Sequence, residues 1–130
     1  MRIEHRITEG QLKKETVCFT YDGTAEQLGD SPSGKMITDS DALSFVYLFE
    51  DGEEYRYLHF TQQVWPLMQQ LIEMDNGDPL IVCENGTVQL KGFTEELTML
   101  VFNIEGNGNY GEEFMLAVEQ AFKETLHQHS

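Results

Sequence analysis

Basic residues are scarce in this sequence, and their scarcity removes a class of function at once. Eight Lys and Arg stand against 23 Asp and Glu among 130 residues, a formal net charge of −15. A protein that grips a phosphate backbone neutralises it with clustered cations, so direct nucleic-acid binding is not expected. Long apolar runs are missing too. None approaches the ~20 residues that cross a bilayer, and the opening "MRIEHRITEGQLKKE" lacks the apolar segment of a secretory signal. The expectation is a cytoplasmic protein with no membrane association. Cysteine is limited to Cys18 and Cys83, without C-x-x-C spacing, and the pair reads as reduced core residues rather than a disulfide. Without secretion, the Asn85-Gly86-Thr87 sequon carries no glycosylation meaning. No Ser, Cys or His sits in a nucleophile elbow or a comparable context. No catalytic residue, metal ligand or cofactor is therefore assigned, and an enzyme is not the favoured reading.

The acids that dominate the charge are scattered through the chain. Scattered acids serve solubility; the sharper alternative is a surface for a basic partner, including mimicry of a nucleic-acid backbone. At this length the chain is expected to form a single α+β domain over residues 1–130.

Turn chemistry and apolar spacing outline its elements. Ile3, His5 and Ile7, then Val17, Phe19 and Tyr21, alternate around Gly10 as a first pair of strands. Residues 22–35, "DGTAEQLGDSPSGK", read as a loop and the one mobile segment. "LSFVYLFE-DG-EEYRYLHF" is a hairpin with Asp51-Gly52 as its type I′ turn, with either Phe45, Tyr47 and Phe49 or Val46 and Leu48 facing the core. "TQQVWPLMQQLIEM" is a helix starting near Trp65, because Pro66 is tolerated only in a first turn. A second hairpin, "PLIVCE-NG-TVQLKGF", turns at Asn85-Gly86. Phe93, Leu97, Leu100, Val101 and Ile104 then mark one face of a helix capped by Thr94, preferred over a strand at 98–104. Phe114, Val118, Ala121, Phe122 and Thr125 form the stripe of a last helix, with Glu119 and Lys123 as an i, i+4 pair. The order is ββ-ββα-ββα-α: an antiparallel sheet built from hairpins, with two to three helices packed on one face.

Gly106-Asn107-Gly108-Asn109-Tyr110-Gly111 matches G-x-G-x-x-G, but a dinucleotide site needs a strand, a helix and a second strand around it. Too little chain follows, and Glu112 and Glu113 would repel a phosphate from the next helix. Calcium fares no better, since an EF-hand beginning at Asn103 would place Phe114 where its bidentate Glu belongs. The stretch reads as a helix–helix connection, with Gly106 or Gly108 left-handed and Asn109 capping the next helix. Its polar content exceeds what a connection needs. Asn103, Glu105, Asn107, Asn109 and Tyr110 are therefore candidates for binding a partner or ligand; Trp65, beside Pro66, reads first as a core anchor and second as a further candidate contact. Asp39 and Asp41 read as turn formers, His127 and His129 as a frayed tail, and His5 and His59 have no partner identifiable from spacing.

Three blocks, "MITDSDALSFVYL", "VWP" and "NIEGNGNYGEE", resemble a small uncharacterised protein family of Bacillus-type Gram-positive bacteria. The likeness covers most of the chain from Lys35 onward and implies a small cytosolic bacterial protein. It brings no reaction, cofactor or catalytic residue with it. The favoured function is a non-catalytic interaction or regulatory module with a protein partner; the alternative is a small-ligand binding domain. A pocket with convergent polar groups favours the ligand, and an apolar patch rimmed by acids favours the partner.

Overall fold

In the computed structural model, which describes residues 3–128, Ile3, His5 and Ile7 lie on a strand, β1 (Ile3–Ile7), that does not pair with the segment around Val17. Past Thr8 and Glu9 the chain enters β2 (Gly10–Lys13) and returns antiparallel as β3 (Thr16–Thr20). Residues 22–35, expected to be a loop, hold the short helix α1 (Ala25–Leu28) and the start of β4 (Ser31–Asp39). They are tied down rather than loose. Asn85 Oδ1 accepts from the Ala25 N–H at 2.9 Å, Arg56 donates to the Gln27 carbonyl at 2.6 Å, and Asp30 accepts from the Gly52 N–H at 3.1 Å.

Both expected hairpins form, but each turn moves by one position. β5 (Ser44–Asp51) and β6 (Glu54–Thr61) are joined by Gly52-Glu53, and of those two only Gly52 has positive φ, at 65°. That is where a type II′ turn needs glycine. β7 (Leu80–Cys83) and β8 (Gly86–Gln89) are joined by Glu84-Asn85. There the Asn85 side chain is committed to α1, so a tertiary contact outweighs the local preference for Asn-Gly.

The class is α+β, but the strands make two mixed sheets where one antiparallel sheet was expected. The first has the order β1-β6-β5-β4 and the second β2-β3-β7-β8. β1 runs parallel to β6 and β3 parallel to β7; every other pair is antiparallel. The physical reason is the bend at Thr8-Glu9. It lets one N-terminal stretch serve as an edge strand of both sheets and bury Ile7 completely.

Helix α2 (Trp65–Met74) starts at Trp65 with Pro66 in its first turn, as the proline requires. α3 (Phe93–Ile104) is helical throughout, with no strand at 98–104. Its cap is not Thr94. Gly92, at φ 75°, is the N-cap residue, and the Asp78 carboxylate accepts from the Gly92 and Thr94 N–H groups at 2.9 and 3.1 Å. A carboxylate from a neighbouring connection thus satisfies donors that a local side chain was expected to take. α4 (Glu112–Ala121) and α5 (Lys123–Gln128) replace the single last helix. The break at Phe122 separates Glu119 from Lys123. Glu119 instead accepts from the Gly106 N–H at 2.7 Å.

One hydrophobic cluster lies between the sheets and the helices. Phe45, Tyr47 and Phe49 point into it, as one expected set. The alternate set is also covered: Val46 is 1% exposed and Leu48 6%. On the outer face of the first sheet these side chains are shielded by cross-strand neighbours, Val46 between Ile37 and His59, Leu48 between Lys35 and Tyr57. Tyr47 also joins the first sheet to the turn before α3. Its hydroxyl donates to the Lys91 carbonyl at 2.6 Å and accepts from the Gly34 N–H at 3.2 Å, and burial pushes its pKa up to about 12. Cys18 and Cys83 are buried and unpaired.

α5 docks on α2 through Thr125, whose hydroxyl donates to Gln69 at 3.0 Å. Beside it Glu73 has a raised pKa, first from a hydrogen bond with Glu124, then from burial and from the charge of Glu124. A carboxyl raised in the folded state binds its proton more tightly there than in the unfolded chain. Its contribution is therefore fullest below the ordinary value of 4.5 and is lost as pH rises through the raised value. Glu73→Gln should accordingly raise the melting temperature at neutral pH and flatten its fall as pH rises above the ordinary carboxyl value of 4.5. Melting temperatures of variant and parent that keep a constant difference as pH rises above that value would rule the pairing out.

Candidate functional site

Alternation along the strands gathers polar side chains on the outer face of the first sheet. Glu4 and Arg6 come from β1, His59 and Thr61 from β6, Ser44 from the start of β5, and Asp39 from the end of β4. They line a cavity of about 350 Å³ with Ala42. Asp39 Oδ1 accepts from the Ala42 N–H at 3.2 Å and so shapes the turn into β5, the role expected of it.

His59 is the hub. Its Nδ1 lies 2.8 Å from Ser44 Oγ and its Nε2 lies 2.7 Å from Glu4 Oε1, while Asp39 Oδ2 stands 4.0 Å from Nδ1. In the neutral ring these partners select one tautomer. A carboxylate only accepts, so Nε2 carries the proton, and Nδ1 accepts from the Ser44 hydroxyl. His59 is 6% exposed and Ser44 is 0% exposed. Beside it the Thr61 hydroxyl donates to the Ile7 carbonyl at 3.3 Å. Arg6 lines the same cavity and has no ion pair or side-chain hydrogen bond among the described residues.

The connectivity serine–histidine–carboxylate resembles that of an activated nucleophile. The accessibility does not. A nucleophile must reach a substrate carbon, and the Ser44 side chain is closed off beneath its neighbours. The ring's two nitrogens face opposite sides, so Glu4 and Asp39 do not converge on one ion with it. Among the described residues no group of three or more His, Cys, Asp or Glu is arranged to hold a metal. What the cavity offers is a guanidinium, two carboxylates and a histidine locked in place.

The residues singled out from sequence lie elsewhere. Gly106 takes the left-handed conformation at the end of α3, at φ 68°. Asn109 does not cap α4: Gly111 is the N-cap residue, at φ 95°. Asn107 turns inward, its side chain accepting from the Asn109 N–H at 3.1 Å, and Tyr110 packs half-buried against the core. Asn103, Glu105 and Asn109 remain exposed. Trp65 is separate from all of these, 1% exposed, with its indole N–H donating to the Phe60 carbonyl at 3.0 Å. His127 is exposed on α5, and His129 lies outside the described residues. His5 also proves to be partnered, with its ring nitrogens 3.2 Å from the Tyr21 hydroxyl and 2.9 Å from the Gln27 carbonyl; burial pushes its pKa down. Sequence reasoning missed the His59 cluster. Its one legible signal was the hairpin, which puts Ser44 and His59 on the same face.

Among the described residues no helix is long and apolar enough to cross a membrane. No solved structure matches the chain. A protein of Lysinibacillus sphaericus is 36% identical over 126 residues, covering 97% of this chain and 98% of that protein. One of Staphylococcus epidermidis is 42% identical over 118 residues, covering 90% and 95%. Both carry the name UPF0738 protein. The model of that family, described as a family of unknown function, matches residues 5–122. As the resemblance implied, the chain belongs to the UPF0738 family of Gram-positive bacterial proteins.

Proposed function

We propose that this protein is a non-catalytic binding module, and that the cavity on the first sheet holds a small polar ligand with an anionic end. The observation that carries this reading is the contrast within the cavity. His59 and Ser44 are spent on each other and on Glu4, whereas Arg6 has no partner among the described residues of a chain with 23 acids. A guanidinium left free beside fixed polar groups is suited to a carboxylate or phosphate. Asp39, whose Oδ2 lies on the cavity side 4.0 Å from His59 Nδ1, would face the donor end of the same molecule. The locked histidine and the enclosed serine support recognition over reaction.

Thermal melting tests it with a panel of small carboxylates, amino acids and phosphate esters. A ligand at a hundred times its Kd adds about 2.7 kcal/mol to stability, a shift of several degrees. We expect at least one member to give such a shift, and Arg6→Ala to abolish it while leaving the unliganded melt in place. No shift with any member, or a shift that survives in Arg6→Ala, would remove the cavity from consideration.

A further inference from the structure

A second surface lies outside that cavity, between α3 and the connection from α2 to β7. It is an open groove of about 500 Å³, and its polar groups are satisfied in an uneven way. The Thr94 hydroxyl donates to the Gly77 carbonyl at 2.9 Å and the Thr98 hydroxyl to the Thr94 carbonyl at 2.7 Å, which leaves the two methyl groups as the free part of each side chain. Both Asp78 oxygens are taken by the backbone of α3. Met99 is 49% exposed beside them. An unbranched thioether adapts to whatever shape it meets, which is why methionine recurs on binding surfaces. What remains to offer a ligand is apolar surface flanked by the Asp75 and Glu95 carboxylates, which have no ion pair among the described residues. Among the described residues no Lys or Arg lines the groove.

We propose that this groove docks a basic segment of a partner protein, one that places an apolar side chain against Met99 with Lys or Arg beside it. Charge selects the occupant. A second copy of this chain would bring another net charge of −15 to a rim that is already acidic, and like charges brought together at an interface disfavour that pairing. A basic segment meets attraction at the rim and apolar contact at the floor. The proposal is independent of the ligand cavity, with which the groove shares no residue.

The probe is a short fluorescein-labelled peptide with one leucine flanked on both sides by lysines, titrated by fluorescence anisotropy at low salt. Three comparisons decide the outcome. Replacing the leucine of the peptide by alanine should weaken binding by about tenfold, as should Met99→Ala in the protein. Glu95→Lys should weaken it comparably, while Glu53→Lys, the same charge change on the exposed β5–β6 turn, should have a much smaller effect. Met99→Ala and Glu53→Lys should melt with the parent, because both side chains are exposed; Glu95→Lys puts a cation in the first turn of α3 and should melt slightly lower while remaining folded at the assay temperature. Equal losses from Glu95→Lys and Glu53→Lys, or no loss from Met99→Ala or from the alanine peptide, would reduce the interaction to net charge and overturn the site. A dimer in sedimentation that Met99→Ala dissolves would give the groove to a second copy and overturn it as well.

Discussion

Replacing Trp65 with alanine should lower the free energy of unfolding by about 3–5 kcal/mol, the range for removing a large aromatic side chain from a packed core. The indole is 1% exposed. Its ring centroid stands 5.3 Å from that of Phe45 and 6.0 Å from those of Phe114 and Phe122, so one side chain ties the first sheet to α4 and to the break that leads into α5. Its N–H also satisfies the Phe60 carbonyl at the end of β6. Against a typical domain stability of about 5–15 kcal/mol, the loss is a large share of the total. Urea denaturation would measure it, and hydrogen exchange should show α4 and α5 losing protection first. Trp65→Phe keeps part of the packing but not the hydrogen bond, and should fall between parent and alanine. A Trp65→Ala protein that unfolds within about 1 kcal/mol of the parent would mean that the helices are held by other contacts.

The second large effect concerns His59, and its sign depends on what else is changed. His59→Leu removes the ring but leaves the Ser44 hydroxyl enclosed without its partner. An orphaned buried polar group costs about 1–3 kcal/mol, whereas removing both partners of a hydrogen bond is nearly neutral. Ser44→Ala combined with His59→Leu should therefore recover most of the stability that His59→Leu loses. Glu4 adds little to the balance, since its side chain is 44% exposed and water can solvate it. The measurement is a double-mutant cycle in urea. If the two losses simply add, the serine and histidine are not coupled, and the geometry at 2.8 Å has no energetic weight.

How much of this could be read in advance follows from the range of each interaction. The two hairpins, the start of α2 at Trp65 and the helical course of α3 all carry local signals: glycine in a turn, proline in a first turn, apolar residues at helical spacing. Both turns were misplaced by one position, yet no strand face was inverted. Moving a two-residue turn by one position shifts the cross-strand register by two residues, and side chains alternate with period two. Phe45, Tyr47 and Phe49 therefore keep the core, and Ser44 keeps its place on the same face as His59.

The site is another matter. Glu4 reaches His59 from 55 residues away, across a parallel pair of strands. A parallel pair has no turn between its members and so leaves no local signature. The Asp78 cap of α3 and the Asn85 anchor of α1 are likewise choices among distant groups, made where folding brings a carboxylate or an amide near unpaired backbone donors. Composition and periodicity alone were enough to establish an acidic α+β chain with these hairpins and helices, because hydrophobic spacing and turn stereochemistry act within a few residues. Packing decided that the strands split into two mixed sheets, and that Arg6, without a partner among the described residues, stands beside a histidine held by Ser44 and Glu4. Those outcomes depend on which distant strands become neighbours, and that is settled only when the two sheets close on a common core.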